Sequence, residues 1–236
     1  MTEEVFRQDA YAKSCAARIT AVDEAGIRLD RTVFYPLGGG QPGDTGELVL
    51  DDGTAIRIVD TRKGEAAGEI VHVPEDPVDP GLAGSEVTAR IDWDRRHRLM
   101  RMHTCLHLLC SLVPAPVTGG SVRDGSGRLD FDLPQSTLDK QDLTVRLNRL
   151  VAEDHTVIPR WISEEELDAN PSLVRTMSVA PPRGQGRVRV LDIEGVDLQP
   201  CGGTHVASSG EIGRVRVTKI EKKGRQNRRV TVAFDA

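Results

Sequence analysis

Two short motifs far apart in the chain, His103-x3-His107 and Cys201-x3-His205, constrain this sequence more than any other feature. A fold that uses them together must bring a helix and a distant loop to one point. The first pair lies in Asp92–Val113, a stretch of helical character that stops before Pro114. Positions four apart on a helix project from nearly the same face, so both imidazoles can reach one ion. The second pair brackets Gly202 and Gly203, whose backbone freedom lets the loop fold its ends together. One thiolate and three imidazoles form a donor set suited to tetrahedral zinc, one ion per chain. Either motif alone fits packed or surface histidines as well; their joint presence points to a metal.

The neighbouring residues narrow that reading. Cys110 shares the helical face of His107 but lies seven residues from His103, roughly 10 Å along the axis, too far to close on the same ion. Cys105 projects to the opposite side, and both read as small buried hydrophobes. His72, His97 and His155 have no ligand-spaced partner and read as structural or exposed. Thr104 stands where a zincin protease carries the glutamate of H-E-x-x-H, which excludes peptidase chemistry of that type. Four cysteines in 236 residues are too few and too unevenly spaced for a disulfide framework. The acidic N-terminus has no signal-peptide apolar region, and no apolar run approaches the roughly 18–20 residues of a membrane span. These features predict a cytoplasmic protein with no membrane partner.

The pattern of elements predicts an α+β chain in two parts, residues 1–90 and 91–236. Short alternating runs at Ala16–Ala21, Gly26–Leu29, Thr54–Val59, Glu69–Val73 and Glu86–Ile91, with Gly-rich turns between, suggest a small β-barrel or sandwich. With only 3% aromatic residues its core must be aliphatic. The second part reads as helices packed on an antiparallel sheet. Gly119–Val122 reads as a turn and Arg128–Leu133 as a strand. A helix is expected over Gln135–Glu153, with Ser136 or Thr137 as N-cap. A short helix with capping-box character begins at Ser163, and strands follow at Arg187–Ile193, Gly213–Ile220 and Arg229–Phe234.

A net charge of −5 argues at first against a nucleic-acid partner, but the charge is segregated. Residues 1–90 carry 9 Lys and Arg against 17 Asp and Glu, whereas residues 91–236 carry 22 against 19. Between Arg214 and Arg229 eight basic residues face only Glu221. Such a stretch is either a solvated hairpin face or a local phosphate-binding surface. The densest glycine segment, Phe34–Gly46, fits neither G-x-G-x-x-G nor the P-loop, so no nucleotide cofactor is expected. Gly38, Gly39 and Gly40 are consistent with a tight turn, or with backbone amides that approach a ligand.

Together these residues resemble the editing domain of alanyl-tRNA synthetases and its free-standing relatives of the AlaX type. The matching stretches are Phe34–Gly46 (FYPLGGGQPGDTG), Arg101–Leu109 (RMHTCLHLL), Gln199–Val206 (QPCGGTHV), Gly210–Gly213 (GEIG) and the basic run Lys223–Val230. The glycine-rich segment indicates the longer AlaX form with an N-terminal β-barrel. The resemblance implies zinc on His103, His107, Cys201 and His205. It also implies hydrolysis, in trans, of the ester that joins a wrong amino acid, chiefly serine and secondarily glycine, to alanine tRNA. Gly38, Gly39, Gly40 and Gln41 would then shape the pocket, with Thr104 and Ser121 beside them. Gln41 and Ser121 are the candidate catalytic side chains, Ser121 as a donor to the serine hydroxyl. Arg98, Arg101, Lys222, Lys223, Arg225, Arg228 and Arg229 would bind tRNA phosphates. Two departures are Cys105, where the family often has Ala, and Gly38, where synthetases often have Ser. The competing readings are a zinc-stabilised tRNA-binding module without turnover and an editor of a different aminoacyl-tRNA.

Overall fold

The structure, a computed structural model, describes residues 1–134, 138–176 and 186–235. The α+β class holds. By its internal contacts the chain divides into two compact units, Met1–His97 and Arg98–Ala236.

The first unit begins with β1 (Glu3–Glu4), α1 (Val5–Gln8), β2 (Ser14–Asp23), β3 (Gly26–Leu29) and β4 (Arg31–Thr32). It continues with β5 (Gly46–Leu50), β6 (Ala55–Lys63), β7 (Ile70–Pro74) and β8 (Glu86–Ile91). Six of these strands close into a barrel in the order β2-β3-β7-β6-β5-β8, with antiparallel neighbours throughout. Closure removes the free edges that would otherwise leave backbone groups unpaired. Strict alternation does the rest. Along β8, Val87, Ala89 and Ile91 point inward while their neighbours face out. They meet Ala17, Ile19, Ile27, Leu29, Leu48 and Ile58 in an aliphatic core with Phe34; full burial of each Leu, Ile, Val or Phe contributes about 1.5–3 kcal/mol.

One buried ion pair ties the glycine-rich segment to this barrel. Arg96 and Asp44 are both essentially unexposed, and the guanidinium meets both carboxylate oxygens. Its remaining donors go to Val33 O at 2.7 Å and Ala10 O at 3.1 Å. Asp44 also accepts from Tyr35 N at 2.6 Å. Within the segment, Gly39 and Gly40 take positive φ values of 57° and 81° in a turn closed by reciprocal Gly38–Gln41 backbone bonds. At Gly43 a β-carbon would lie 2.0 Å from Thr61 O, so only glycine lets the segment lie against β6.

The second unit is organised around α2 (Trp93–Leu112), which starts in the first unit after Asp92 caps it through Arg95 N at 3.1 Å. It holds β9 (Val117–Arg123), β10 (Ser126–Asp132), α3 (Lys140–Ala152), β11 (Val157–Ser163) and α4 (Glu164–Ala169). Then come β12 (Arg187–Ile193), β13 (Asp197–Pro200), β14 (Val215–Lys223) and β15 (Asn227–Phe234). One sheet runs β14-β15-β10-β9 and a second runs β11-β12-β13, all neighbours antiparallel. The edge strand β14 is covered by α3: Asn148 donates to Val215 O at 2.7 Å and accepts from Val215 N at 3.0 Å.

Two local expectations change here. Gly119 and Gly120 lie inside β9, paired with Asp130 and Leu129, and the turn falls instead at Asp124-Gly125. The segment is a strand because Val117 and Val122 anchor it in the core. The cap of α3 is Asp139, whose side chain accepts from Asp142 N; Ser136 and Thr137 lie outside the described residues. At α4 the expected cap is found, with Ser163 accepting from Glu166 N at 2.9 Å.

Candidate metal centre

The first two donors come from α2. Between Leu99 and Cys110 every residue except Arg101 is buried. A helix buried on all faces carries any polar side chain it bears into the interior. His103 and His107 are therefore 6% and 9% exposed, one turn apart on one face. The other two donors come from the loop after β13. Cys201 N extends the β12–β13 ladder by bonding Arg189 O at 3.1 Å. Arg189, itself buried, then holds the loop from its side chain: Nη1 donates to Cys201 O at 2.8 Å and to Gly203 O at 2.9 Å. Gly203 N in turn points at Cys201 Sγ from 3.4 Å.

These elements bring the ligand atoms of His103, His107, Cys201 and His205 to within 4.8 Å of one another. Cys201 Sγ is 3.1 Å from His205 Nε2 and 3.6 Å from His103 Nε2. Zinc bonds of about 2.0–2.3 Å in a tetrahedron need donors about 3.3–3.8 Å apart, so the cluster is near the size one ion requires. The donor chemistry agrees, since three imidazoles and one thiol suit a borderline-soft cation.

Electrostatics prepare the same set. Burial pushes His107 down to about 4, and Arg189 and Arg175 add to the effect. His103 and His205 are held well below the ordinary histidine value, first by burial and then by neighbouring imidazoles and Arg189. All three rings are thus neutral at physiological pH, the form that can ligate. Thr104 Oγ1 lies 3.1 Å from His205 Nδ1 and accepts from Val206 N at 3.4 Å. With Nδ1 as donor, His205 presents the lone pair of Nε2 to the cluster.

Cys105 and Cys110 are buried and absent from the cluster, and burial lifts the Cys105 thiol to about 12. Arg189 was not foreseen: in Arg187-Val-Arg189-Val190 the alternation suggests outward arginines, and nothing in the sequence marks one as interior. Also unforeseen is the support under β13. Asp197, its side chain 2% exposed, pairs with Arg175 at 2.9 Å and accepts from Gln199 Nε2, while Arg175 donates to Cys110 O at 3.1 Å.

Comparison with known proteins decides the family. The chain is 36% identical to the alanyl-tRNA editing protein AlaX-M of Methanosarcina mazei, over 98% of this chain and 95% of that one. It is 38% identical to the protein of the same name from Methanosarcina barkeri, over 98% of each. The chain belongs to the AlaX-type alanyl-tRNA editing proteins.

The alanine–tRNA ligase of Pyrobaculum neutrophilum is 35% identical over 94% of this chain, which spans 25% of that ligase. Two family profiles also match: the second additional domain of threonyl and alanyl tRNA synthetases over residues 188–231, and class II (A) tRNA synthetases over residues 4–95. The former covers Cys201, His205 and the whole of the basic run; the latter covers the glycine-rich segment.

Gln41 is buried and closes the Gly38–Gln41 turn. Ser121 is half-buried on β9, opposite Arg128. Arg98 is exposed and pairs with Asp124 at 2.6 Å. Arg101 donates through Nε and Nη2 to Ile212 O and stacks on Phe234 at 4.3 Å. On the β14–β15 hairpin, Lys222 and Arg225 are exposed and Lys223 sits 3.5 Å from Glu221. Arg228 donates to Asn227 O and Pro134 O, and Arg229 forms a two-pronged pair with Asp130. Among the described residues no helix is long and apolar enough to cross a membrane.

Proposed function

We propose that this chain is a trans-acting aminoacyl-tRNA deacylase that hydrolyses mischarged Ser-tRNA(Ala), and secondarily Gly-tRNA(Ala), at a zinc site. The observation that carries the reading is the convergence of His103, His107, Cys201 and His205 within 4.8 Å, in a chain of the alanyl-tRNA editing family. When bound, zinc supplies Lewis-acid polarisation of an ester or of a water. The chain's own residues supply the rest. Arg189 and Thr104 orient the ligands, and burial keeps the imidazoles neutral. Ser121 serves as a hydrogen-bond partner for the substrate's serine hydroxyl. A pocket built to bond that hydroxyl rejects alanine strongly, because alanine would leave a buried polar group unpaired. Gly38, Gly39, Gly40 and Gln41 are assigned to the pocket on the family resemblance. Arg98, Lys222, Lys223 and Arg225 are the exposed cations best suited to phosphates, with Arg101, Arg228 and Arg229 beside them.

One observation favours a second reading. Four protein donors complete a tetrahedron, which is the signature of a structural zinc site, so a tRNA-binding module without turnover would show the same cluster. Incubation with labelled Ser-tRNA(Ala) and Ala-tRNA(Ala) separates the two. The deacylase reading expects selective release of serine, lost in Cys201→Ala with the fold retained by circular dichroism. Binding of both tRNAs with no release of either would leave only the binding module.

A further inference from the structure

We infer that Trp161 and Arg187 form a stacking shelf for an unpaired base of the RNA whose 3′ end enters the metal site; this rests on the tRNA-deacylase reading. Trp161 on β11 lies opposite Arg189 on β12, and Cys201 N bonds Arg189 O on the other side. The three residues form one row across the sheet. At a spacing of about 4.8 Å between strands, the Trp161 backbone stands roughly 10 Å from that of a metal-site cysteine. An unpaired 3′ end whose terminal ester sits at the cluster has neighbouring bases at that range.

Side-chain alternation separates the two faces of this sheet. Ile162, Val188 and Val190 point one way, into a small core with Leu167. Trp161, Arg189 and Arg187 share the opposite face. Arg189 is buried and reaches the loop carbonyls of Cys201 and Gly203. Toward the edge strand the character changes: Trp161 on β11 is 46% exposed, and exposed Arg187, two residues before Arg189 on β12, lies over its ring at 4.5 Å. A chain with 3% aromatics thus spends one of its two tryptophans on the surface, beside its metal loop.

The chemistry of this pair selects its occupant. Indole and guanidinium both offer flat faces on which any base can stack, and the guanidinium adds positive charge for the adjacent phosphate. An apolar peptide would match the indole but gain nothing from the arginine. The pair reads no sequence, as suits an end common to the correctly and wrongly charged tRNA. It would hold the terminus while the pocket judges the amino acid.

The test uses the full chain with Trp93→Phe, which leaves Trp161 as the sole tryptophan. A short unpaired RNA oligomer with a free 3′ hydroxyl should shield Trp161 from acrylamide quenching, and the same oligomer with abasic 3′-terminal positions should not. In deacylation assays Trp161→Ala should raise KM for Ser-tRNA(Ala) about 5- to 100-fold with kcat nearly unchanged, the range expected for one lost stacking contact. Trp161→Phe should restore most of the loss and Trp161→Leu little of it. An unchanged KM in Trp161→Ala while the parent remains active overturns the shelf and leaves the deacylase reading intact. Shielding that grows with protein concentration in the absence of RNA also overturns it, in favour of contact between copies. A parent chain that neither binds nor hydrolyses the tRNA removes the deacylase reading itself.

Discussion

His72 in the barrel and His103, His107 and His205 in the second unit are all buried, yet their ring nitrogens meet different company. His72 Nε2 lies 2.8 Å from Thr32 Oγ1 and its Nδ1 lies 3.1 Å from Ile27 O. Arg96 is likewise answered by Asp44, Val33 O and Ala10 O. In the second unit three imidazoles and a thiol turn toward one another, and His205 has Thr104 behind it while Nε2 faces Cys201. Complementary pairing of buried polar groups needs nothing further. Nitrogen and sulfur donors that converge in this way could together hold a metal ion. The difference separates polar groups paired in complementary fashion from a cluster of donors that could hold a metal ion.

That contrast can be broken from the barrel side first. Asp44→Ala leaves the Arg96 guanidinium buried without its counter-charge, which should cost about 3–5 kcal/mol of stability. Denaturant unfolding measures it, with zinc stoichiometry unchanged in the protein that remains folded. A cost below about 1 kcal/mol would mean that the barrel does not depend on this pairing.

The next effect follows from pH. Burial lowers His72 to about 4, so the folded protein keeps it neutral where the unfolded chain begins to bind a proton near 6.5. Between those values the unfolded state holds more protons, and stability rises with pH. This contribution is complete above about 6.5 and is lost progressively as pH falls toward 4, to a total of about 3 kcal/mol. Between pH 6.5 and 4 the unfolding free energy of the parent should fall by about this amount more than that of His72→Gln.

The smallest effect sharpens the other side. Arg189→Met keeps the apolar stem but removes the bonds to Cys201 O and Gly203 O. Zinc affinity should fall about 10- to 100-fold in competition with a chelator, the usual effect of losing an outer support of a metal site. Arg189→Lys should recover part of the loss. An unchanged affinity would show that the glycine-bearing loop needs no clamp.

Much of this contrast was legible in the sequence, because spacing carries direction. A four-residue step puts His103 and His107 on one helix face, Gly202 and Gly203 let a loop bring Cys201 and His205 together, and alternation at Gly26–Leu29 and Glu86–Ile91 marks two barrel strands as the structure has them. What spacing cannot carry is partnership at long range. Asp44 looks like one more polar residue in a glycine-rich loop until Arg96 meets it, 52 positions later. Strand β5 escaped notice because it follows that loop at once and is only five residues long. Arg189 escaped because its alternation with valines suggests the solvent face, which here is covered. Gly119 and Gly120 suggested a turn because glycine weakens a strand, and the pairing with β10 overrides that preference.

The most direct test of the central claim is the metal content of the purified chain, read by elemental analysis alongside deacylation of Ser-tRNA(Ala). The four-donor site predicts one equivalent of zinc per chain, lost together with activity in His107→Ala and in Cys201→Ala while the barrel still unfolds cooperatively. A parent chain that takes up no zinc when it is supplied, yet releases serine at full rate, would contradict it.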